Sequence, residues 1–373
     1  MIASEAAMDA GSVRVALLDA SHGPAMLAIN RACPIVSDLT FFFDRGEDFF
    51  RWPSLVYERF FYAGVFHDDR LVGYCMVGLV RAWTGQEFGW LAVLGDARML
   101  PEHRGLGWIE EALALLADVV PGDVRYGVFI IKEGNRSADR LRARFGIEGY
   151  AVRRIGRLTA QNLFIMRKMK PVAGVVVTRA NPNDLDAIVD LLREEWRGRL
   201  FAPTVSAESL VRVICQPGLG WERTYVARRK GLVVGFLCAW DMGGFHATRV
   251  ISYSLRATLA RGLYAAIRLI LQDAAPLPAP GATFTSVAIT TMATRGGDPD
   301  ILRALLVAVN NDHLDQGFHL MHVGMTTPSG HSPALRSWYT QTLCSTIHLI
   351  SRGKDPTPPP GSVQEPYLDL ALI

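Results

Sequence analysis

The sequence predicts a mixed α/β fold, with helices on a mixed sheet, built as two tandem halves. The chain has 373 residues, and half of them are apolar. That is more than one ordinary core uses, and it fills two domains of under about 200 residues each. A pattern of strand, polar cap and helix also occurs twice along the chain, which indicates a duplication.

Each half opens with the same elements. The apolar runs 13–17 and 174–177 predict strands, and each leads into a polar cap, at Asp19 and at Asn181. Helix-like apolar spacing follows both caps. A strand, a cap and a helix are therefore expected at the start of each half.

A second match supports the duplication. Residues 70–74 (RLVGY) resemble residues 232–236 (LVVGF), and the offset between their glycines is 235 − 73 = 162. The opening strands give the same offset, 177 − 15 = 162, between Val15 and Val177. We expect a first domain over residues 1–170 and a second over 171–373, linked at residues 168–173, where Pro171 follows an apolar strand.

The second half is longer, and its extra length lies between Asp241 and Gly281. It contains a helix-like apolar run over 255–271, for which core or interface packing is expected because its arginines form no clean stripe. A helix on a membrane surface is the alternative. Residues 367–373 are expected to form a closing strand after the prolines at 358–360.

Bulk composition points to a small partner. Charged residues are 20% of the chain and the formal net charge is +3, so no nucleic acid or membrane partner is expected. The first residues lack a secretory signal pattern, which predicts a cytoplasmic protein. The five cysteines are scattered and predict reduced thiols rather than metal ligands.

The most informative stretch runs from Glu87 to Trp108 and predicts a strand, a glycine turn and a helix. Gly105 and Gly107 permit a tight turn whose N–H groups point towards the start of the helix near Trp108. Such a turn binds anions. Arg104 adds a cation and His103 a possible donor, so a pyrophosphate would fit this turn.

This stretch resembles the signature loop of the GCN5-related N-acetyltransferases, in which V-x-P-x-x-R-G-x-G precedes a helix. Pro101, Arg104, Gly105 and Gly107 keep the order of that loop. The resemblance covers residues 13–169 and implies two tandem acyltransferase-like domains, of which the first binds acetyl-CoA or another acyl-CoA. The residues it implies as cofactor-binding are Arg98, Met99, His103, Arg104, Gly105, Leu106, Gly107, Trp108 and Asn135.

A second segment extends the resemblance. Residues 135–146 look like the N-x-x-A-x-x-L-Y-x-x-x-G segment of the same family, beginning at Asn135 and ending at Gly146. Seven arginines lie between Arg136 and Arg157, where they meet either a CoA phosphate or carrier protein, or simply solvent.

Two positions depart from the family pattern. Glu102 stands where the family usually has Gln or Arg, which is tolerable if the contact there is made by a backbone N–H. Arg142 stands where the family commonly has a tyrosine general acid, and a guanidinium cannot donate and retrieve a proton at neutral pH. Another group therefore protonates the thiolate, Arg142 stabilises it by charge, or this half does not run ordinary acetyl transfer.

The candidates for the general base are acids near the same strand. Asp96 lies close to the loop and Glu87 at the strand's beginning, but a capping or salt-bridge role fits Asp96 equally and a solvated position fits Glu87. The aromatic segment 41–52 falls where the resemblance places the acceptor wall, and it forms either an apolar acceptor surface or a lid packed on the core.

The second half is expected to have lost the cofactor. Its strand 284–292 leads to Asp298, which is predicted to cap the next helix with Pro299 in the first turn, so a carboxylate takes the place of an anion. Its histidines have no convincing metal spacing, and no metal site is expected.

These features lead to three hypotheses. The first is an acyl-CoA-dependent acyltransferase, most specifically an N-acetyltransferase, acting on an amine or hydroxyl of a small or carrier-bound acceptor. The second is an acyl-CoA sensor or scaffold without catalysis, and the third is a hydrolase or decarboxylase of acyl thioesters. Oligomeric state is left open by the sequence.

Overall fold

The two halves of the chain contain matching sets of strands and helices. The computed structural model describes residues 12–104, 108–135, 149–271, 273–326, 333–353 and 366–372. Within these ranges the first half comprises β1 (Val13–Leu18), α1 (Gly23–Ala32), β2 (Leu39–Asp44), α2 (Arg51–Val56), β3 (Arg59–His67), β4 (Arg70–Trp83), β5 (Phe88–Met99), α3 (Trp108–Val119), β6 (Tyr126–Lys132) and β7 (Tyr150–Phe164). The second half comprises β8 (Val176–Arg179), α4 (Leu185–Trp196), α5 (Ala207–Ile214), β9 (Thr224–Arg229), β10 (Leu232–Trp240), β11 (Ala247–Tyr253), α6 (Leu255–Ile267), β12 (Thr283–Phe284), β13 (Ser286–Thr294), α7 (Pro299–Leu314), β14 (Leu320–Met325) and β15 (Thr340–Arg352).

The predicted opening elements are confirmed, and their caps explain why the helices begin where they do. The Asp19 carboxylate accepts a hydrogen bond from the Ser21 N–H, and the Asn181 side chain accepts one from the Asn183 N–H. Each cap starts a short 3-10 turn that continues into α1 or α4. Both helices then bury one apolar face against the sheet.

One large mixed sheet runs through both halves. Among the described residues its twelve strands follow the order β1-β3-β4-β5-β6-β15-β7-β14-β13-β10-β9-β8. The last strands of the halves have exchanged places, because β15 lies between β6 and β7, and β7 pairs on its other edge with β14. The mixed α/β class predicted from the sequence is correct, and the halves share one sheet.

Helices cover both faces of this sheet. On one face, α1, α2, α4 and α5 pack into a core that draws on both halves, including Met26, Trp52, Ile188 and Leu210. On the opposite face, α3 and α7 each cover their own half. A smaller sheet of β12, β11 and β2 joins the halves again, since β2 pairs with β11.

Both halves carry the same irregularity in their central strand. In the first half Tyr74 pairs with Arg98 and Met76 with Gly95, so β5 holds one residue more than β4. In the second half β13 holds one residue more than β10, between Ala293 and Thr290. Such an extra residue is a β-bulge, which bends the strand and ends regular pairing.

The two bulge positions share a positive φ angle. Asp96 has φ 47° and Thr291 has φ 48°, a conformation uncommon for residues other than glycine. The offset between them is 291 − 96 = 195, which exceeds the offset of 162 by the 33 residues of the insertion expected between Asp241 and Gly281. The duplication therefore extends to the centre of the sheet.

Helix α6 lies in the predicted insertion, but its surroundings differ from the expectation. Core or interface packing was expected for residues 255–271, and none of the α6 residues is buried. The helix stands against β11, and its leucines face away from the body. No helix in the described ranges is long and apolar enough to cross a bilayer.

The C-terminal segment 366–372 packs into the second half. A closing strand was expected here, and this prediction was wrong: Leu370–Leu372 forms a 3-10 turn. The Asp369 carboxylate accepts from the N–H groups of Thr291 and Ala371, which bends the backbone out of an extended path. Leu370 fills the space that a side chain at Gly324 would occupy.

If this segment belongs to the core, Leu368→Ala will lower the free energy of unfolding by about 2–4 kcal/mol, because Leu368 is buried in the core shared by both halves. The matched control is Leu232→Ala, since Leu232 is exposed. Its effect should stay within about 0.5 kcal/mol. Urea denaturation compares the two variants, and equal effects would mean that the segment does not contribute to the core.

Candidate active site

The predicted anion loop lies at the end of β5, as expected. Arg98 and Met99 are the last residues of this strand, Pro101–His103 form a 3-10 turn, and α3 begins at Trp108. Gly105, Leu106 and Gly107 lie outside the described residues. The strand and helix on either side of them thus confirm the strand, turn and helix order predicted from the sequence.

The described side chains of this loop have different surroundings. His103 is buried, and its ring centroid lies 5.0 Å from that of His67, whereas Arg104 is exposed. Met99 is buried, with its carbonyl accepting from the Cys33 thiol at 3.2 Å. Arg104 is therefore accessible to an anion, and His103 faces the interior.

Asn135 and Arg142 belong to the second predicted segment. Asn135 is exposed and closes the turn after β6, where its N–H donates to the Lys132 carbonyl at 3.1 Å. Arg142 lies outside the described residues, as do the arginines at 136, 140 and 144. Both roles stay predictions.

A gap opens in the sheet beside this loop. β5 and β6 pair in parallel from Leu91 with Tyr126 to Leu94 with Phe129, and their described pairing ends there. β5 then passes through the bulge at Asp96, while β6 continues along β15 to Lys132. The two strands are no longer paired beyond these residues.

Asp96 is held in a buried network at the bulge. Its carboxylate lies 3.1 Å from an Arg45 guanidinium nitrogen and accepts from the Tyr62 hydroxyl at 3.0 Å, and a nitrogen of Arg98 is 4.0 Å away. The side chains of Asp96 and Arg45 are almost fully buried. A carboxylate already engaged by a guanidinium and a phenol is poorly placed to take a proton from an acceptor.

Several buried donors around the bulge have no partner among the described residues. These are the Tyr74 hydroxyl, two nitrogens of Arg45 and the Nε of Arg98. Burial, reinforced by Asp96, raises the pKa of Tyr74 well above its usual value, so its hydroxyl keeps its proton. Unpaired buried donors are costly, and a ligand with acceptor oxygens would satisfy them.

Glu87, the other acid considered as a base, is exposed in the bend before β5. Its carbonyl accepts from the Thr84 N–H, which closes that turn. The bulge, at residue 96, comes nine residues later in the chain, near the other end of the strand. The solvated position considered for this residue is the one found.

The second half has the same gap, but its own chain occupies it. Pairing of β13 with β14 ends at Ile289 with Val323, and the segment 366–372 lies beyond it. The Asp369 carboxylate accepts from the N–H of Thr291, the bulge residue, at 2.9 Å. Asp298 caps α7 as predicted, accepting from the N–H groups of Asp300 and Ile301 and pairing with Arg229 at 2.9 Å.

His246, from the second half, packs against the aromatic segment 41–52, and the sequence did not single it out. The His246 ring stacks on Phe43 at 4.3 Å and on Trp52 at 5.2 Å between centroids. The guanidinium of Arg45 lies over the Trp52 ring, 4.2 Å from its centroid. The aromatic segment 41–52 thus forms one continuous wall from the bulge to the second half.

His322 is oriented by a polar row across three strands. It pairs in register with Asn162 on β7, which in turn pairs with Gln341 on β15. Its Nδ1 lies 2.7 Å from Asn162 Oδ1, and the Asn162 amide donates to Gln341. Because Oδ1 can only accept, Nδ1 carries the hydrogen and Nε2 keeps its lone pair.

Both histidines are neutral at physiological pH. Burial lowers the pKa of His322 to about 4. Burial also holds the pKa of His246 well below its usual value, with smaller contributions from Arg45, Arg98 and His322. Groups of three or more potential metal ligands are absent from the described part of the chain.

Comparison with known proteins supports the fold. No protein-family model and no curated protein sequence matches this chain. Solved structures do match: a GCN5-related N-acetyltransferase from Sphaerobacter thermophilus has a TM-score of 0.55 at 13% identity, covering 96% of this chain and 98% of that one. Saccharomyces cerevisiae N-myristoyltransferase with bound myristoyl-CoA has 0.59 at 8%, covering 96% and 86%.

A third match is a GCN5-related glucosamine N-acetyltransferase region of a fungal multi-domain β-N-acetylglucosaminidase. Its TM-score is 0.59 at 12% identity, covering 92% of this chain and 39% of that one. At such identities the likeness concerns the fold. The chain has the tandem fold of the GCN5-related N-acetyltransferases and of N-myristoyltransferase, as the loop motif predicted.

If Asp96 is a structural counter-ion, Asp96→Asn will lower the free energy of unfolding by about 3–5 kcal/mol, because it leaves the Arg45 cation buried and uncompensated. Asparagine keeps the side-chain shape and tolerates the positive φ. Adding Arg45→Met should recover part of the loss.

The control for this pair is Glu208→Gln, which breaks an exposed ion pair with Arg212 and should leave stability almost unchanged. Thermal and urea unfolding measure all four proteins. An Asp96→Asn variant as stable as the Glu208→Gln variant would contradict the structural role.

Proposed function

We propose that the chain is an acyl-CoA-dependent acyltransferase, with acetyl-CoA as the donor and an amine or hydroxyl of a small or carrier-bound molecule as the acceptor. Residues 1–170 hold the donor, and residues 171–373 supply much of the acceptor wall. The observation that carries the proposal is the difference between the two gaps. The gap at Asp96 lies on the strand that leads to the predicted anion loop, and the equivalent gap at Thr291 is filled by Asp369 and its neighbours.

The residues around the first gap fit an acyl thioester and its nucleotide. Arg104 and the N–H groups at the start of α3 suit a pyrophosphate, and Arg98, Met99 and Trp108 lie on the elements that lead to and from the loop. The hydroxyl of Tyr74 and the unpaired nitrogens of Arg45 and Arg98 suit an acyl oxygen or a departing thiolate. Acyl-CoA supplies the acyl group and the thiolate leaving group.

The acceptor loses its proton to His322 in this proposal. Nε2 of His322 takes the proton while the acceptor nitrogen or oxygen attacks the thioester carbon and the carbon–sulfur bond breaks. Asn162 holds the ring in the tautomer that leaves Nε2 free to accept. The lowered pKa makes His322 a weaker base than an ordinary histidine, but it also keeps the ring fully deprotonated at neutral pH.

Removal of the loop cation tests donor binding. Arg104→Ala should weaken acetyl-CoA binding by about 10- to 100-fold, the loss expected for a charge-assisted contact with phosphate. Arg295→Ala is the matched control, because Arg295 follows β13 in the second half and pairs there with Glu194. Calorimetric titration measures both affinities. Equal affinities, or two CoA molecules bound per chain, would contradict the assignment.

Removal of the proposed base tests catalysis. His322→Gln should lower kcat by about 10²- to 10⁴-fold with little change in acetyl-CoA affinity. The control is His319→Gln, since His319 lies before β14, where Thr285 and Pro276 hold its ring nitrogens. Acceptor-dependent release of CoA thiol follows the reaction, after a screen of amines and carrier-bound substrates.

The pH dependence gives an independent check. A base must be deprotonated, so kcat/KM should fall only as pH drops through about 4, the lowered pKa of His322, rather than through the usual histidine range. Donor binding without thiol release for any acceptor would favour the sensor hypothesis, and release without an acceptor would favour hydrolysis.

A further inference from the structure

The outward face of α6 is a surface feature that the proposed acyl transfer does not use. The helix contacts the body through one side only. The Tyr264 hydroxyl donates to the Ala275 carbonyl at 3.0 Å, Arg268 donates to the Ala274 carbonyl at 2.6 Å, and Arg261 stacks on Tyr253. Spacings of three and four residues place these side chains on the same helix face.

The opposite side of α6 is apolar and exposed. Leu255, Leu259 and Leu263 repeat every four residues and are 79%, 68% and 65% exposed. Leu259 and Arg261 are two positions apart, which turns them about 200° from each other around the helix. The leucines therefore point away from the protein, and Ile267 and Ile270 extend the same exposed surface.

We define the leucine face as Leu255, Leu259, Leu263, Ile267, Leu269 and Ile270. Its exposed area is on the order of several hundred Å², which is large for a single surface patch on a monomer. Thr258 lies among these residues, but its hydroxyl already donates to the Ser254 carbonyl. The leucine face thus presents no unsatisfied side-chain hydroxyl to a partner.

The charge around the leucine face indicates which partner covers it. Between Leu255 and Leu271 there is no acidic residue, and the arginines are Arg256, Arg261 and Arg268. Arg256 is exposed beside the leucines. A second copy paired through a two-fold axis would bring Arg256 near its own mate without a neighbouring acid in the helix. An anionic lipid surface neutralises Arg256 and takes up the leucines.

We propose that α6 is an interfacial helix that lays the leucine face into the headgroup region of an anionic lipid surface. The sequence had favoured core or interface packing for this run, because its arginines form no clean stripe. The structure shows why they do not: Arg261 and Arg268 face the body, and of the three arginines only Arg256 lies on the outward side with the leucines.

The position of α6 links this surface to the acceptor wall. His246 is followed at once by β11, and β11 ends at Tyr253, after which Ser254 caps α6 through the Ala257 N–H. β11 also pairs with β2, which carries Phe43 of the aromatic wall. Docking of α6 therefore holds the acceptor wall one strand length from the lipid surface.

Vesicle flotation with the full chain tests the proposal. The protein should float with phosphatidylcholine vesicles that contain phosphatidylserine, bind weakly to phosphatidylcholine alone, and lose binding as salt rises. The double substitution Leu259→Asp with Leu263→Asp should weaken binding more than about tenfold, since two buried leucines are lost. The control is Leu232→Asp, because Leu232 is 72% exposed at the start of β10, outside the leucine face.

Thermal unfolding and acetyl-CoA titration accompany flotation and should be unchanged in all variants, which separates this proposal from the proposed function. Flotation of the double variant equal to that of the unmodified chain would overturn the proposal. A second result would also overturn it: the unmodified chain binds neither kind of vesicle and sediments as a dimer, and the double substitution dissociates that dimer. This result would assign the leucine face to a second copy. Retention on an acidic protein without vesicle binding would also overturn it.

Discussion

The extra residue in the central strand of each half is the constraint on which the rest of the structure depends. A bulge ends the regular ladder, and the neighbouring parallel strand then diverges, which opens a gap in an otherwise continuous sheet. The positive φ of Asp96 and Thr291 is the backbone cost of this arrangement. In the first half, an ion pair with Arg45 and a hydrogen bond from the Tyr62 hydroxyl stabilise the bulge residue. In the second half, the Asp369 carboxylate of the C-terminal segment does so.

The two halves have therefore kept the same backbone geometry at the bulge, but different side chains contact it in each half. In the second half, Asp369 and Asp298 are carboxylates placed at the bulge N–H and at the start of α7, the two places where a ligand with anionic oxygens would otherwise bind. In the first half the corresponding polar groups are cations and hydroxyls. In the proposed function, a duplication followed by this exchange of charges yields one binding half and one supporting half from a single fold.

Local signals explain which features the sequence could predict. The caps at Asp19, Asn181 and Asp298 are read from adjacent residues, and so is the helix start at Trp108. The bulge could not be predicted, because the residue with positive φ is Asp96 rather than the preceding Gly95. The last residues were misjudged as a strand, because only the distant Thr291 N–H explains their bend.

The residues of the proposed site that the sequence missed are those brought together by long-range pairing. Arg45 and Asp96 are 51 positions apart. His322 and Asn162 meet only because the last strands of the halves exchange places. A signal existed for Arg45, which lies within the aromatic segment 41–52, but histidines spread over the second half carry no spacing that distinguishes His322 from His319. Gly105, Leu106, Gly107 and Arg142 lie outside the described residues, and their roles stay predictions.

The exchange of the last strands also determines the order in which the molecule can be completed during synthesis. β6 and β7 belong to the first half, but the strand between them, β15, is synthesised after every other strand of the described residues. Until then both strands present unpaired edges, which favour association with other chains. Folding must therefore wait for contacts across nearly the whole chain length, which slows it, and a chain interrupted after its first half would lack the strand that closes its own sheet.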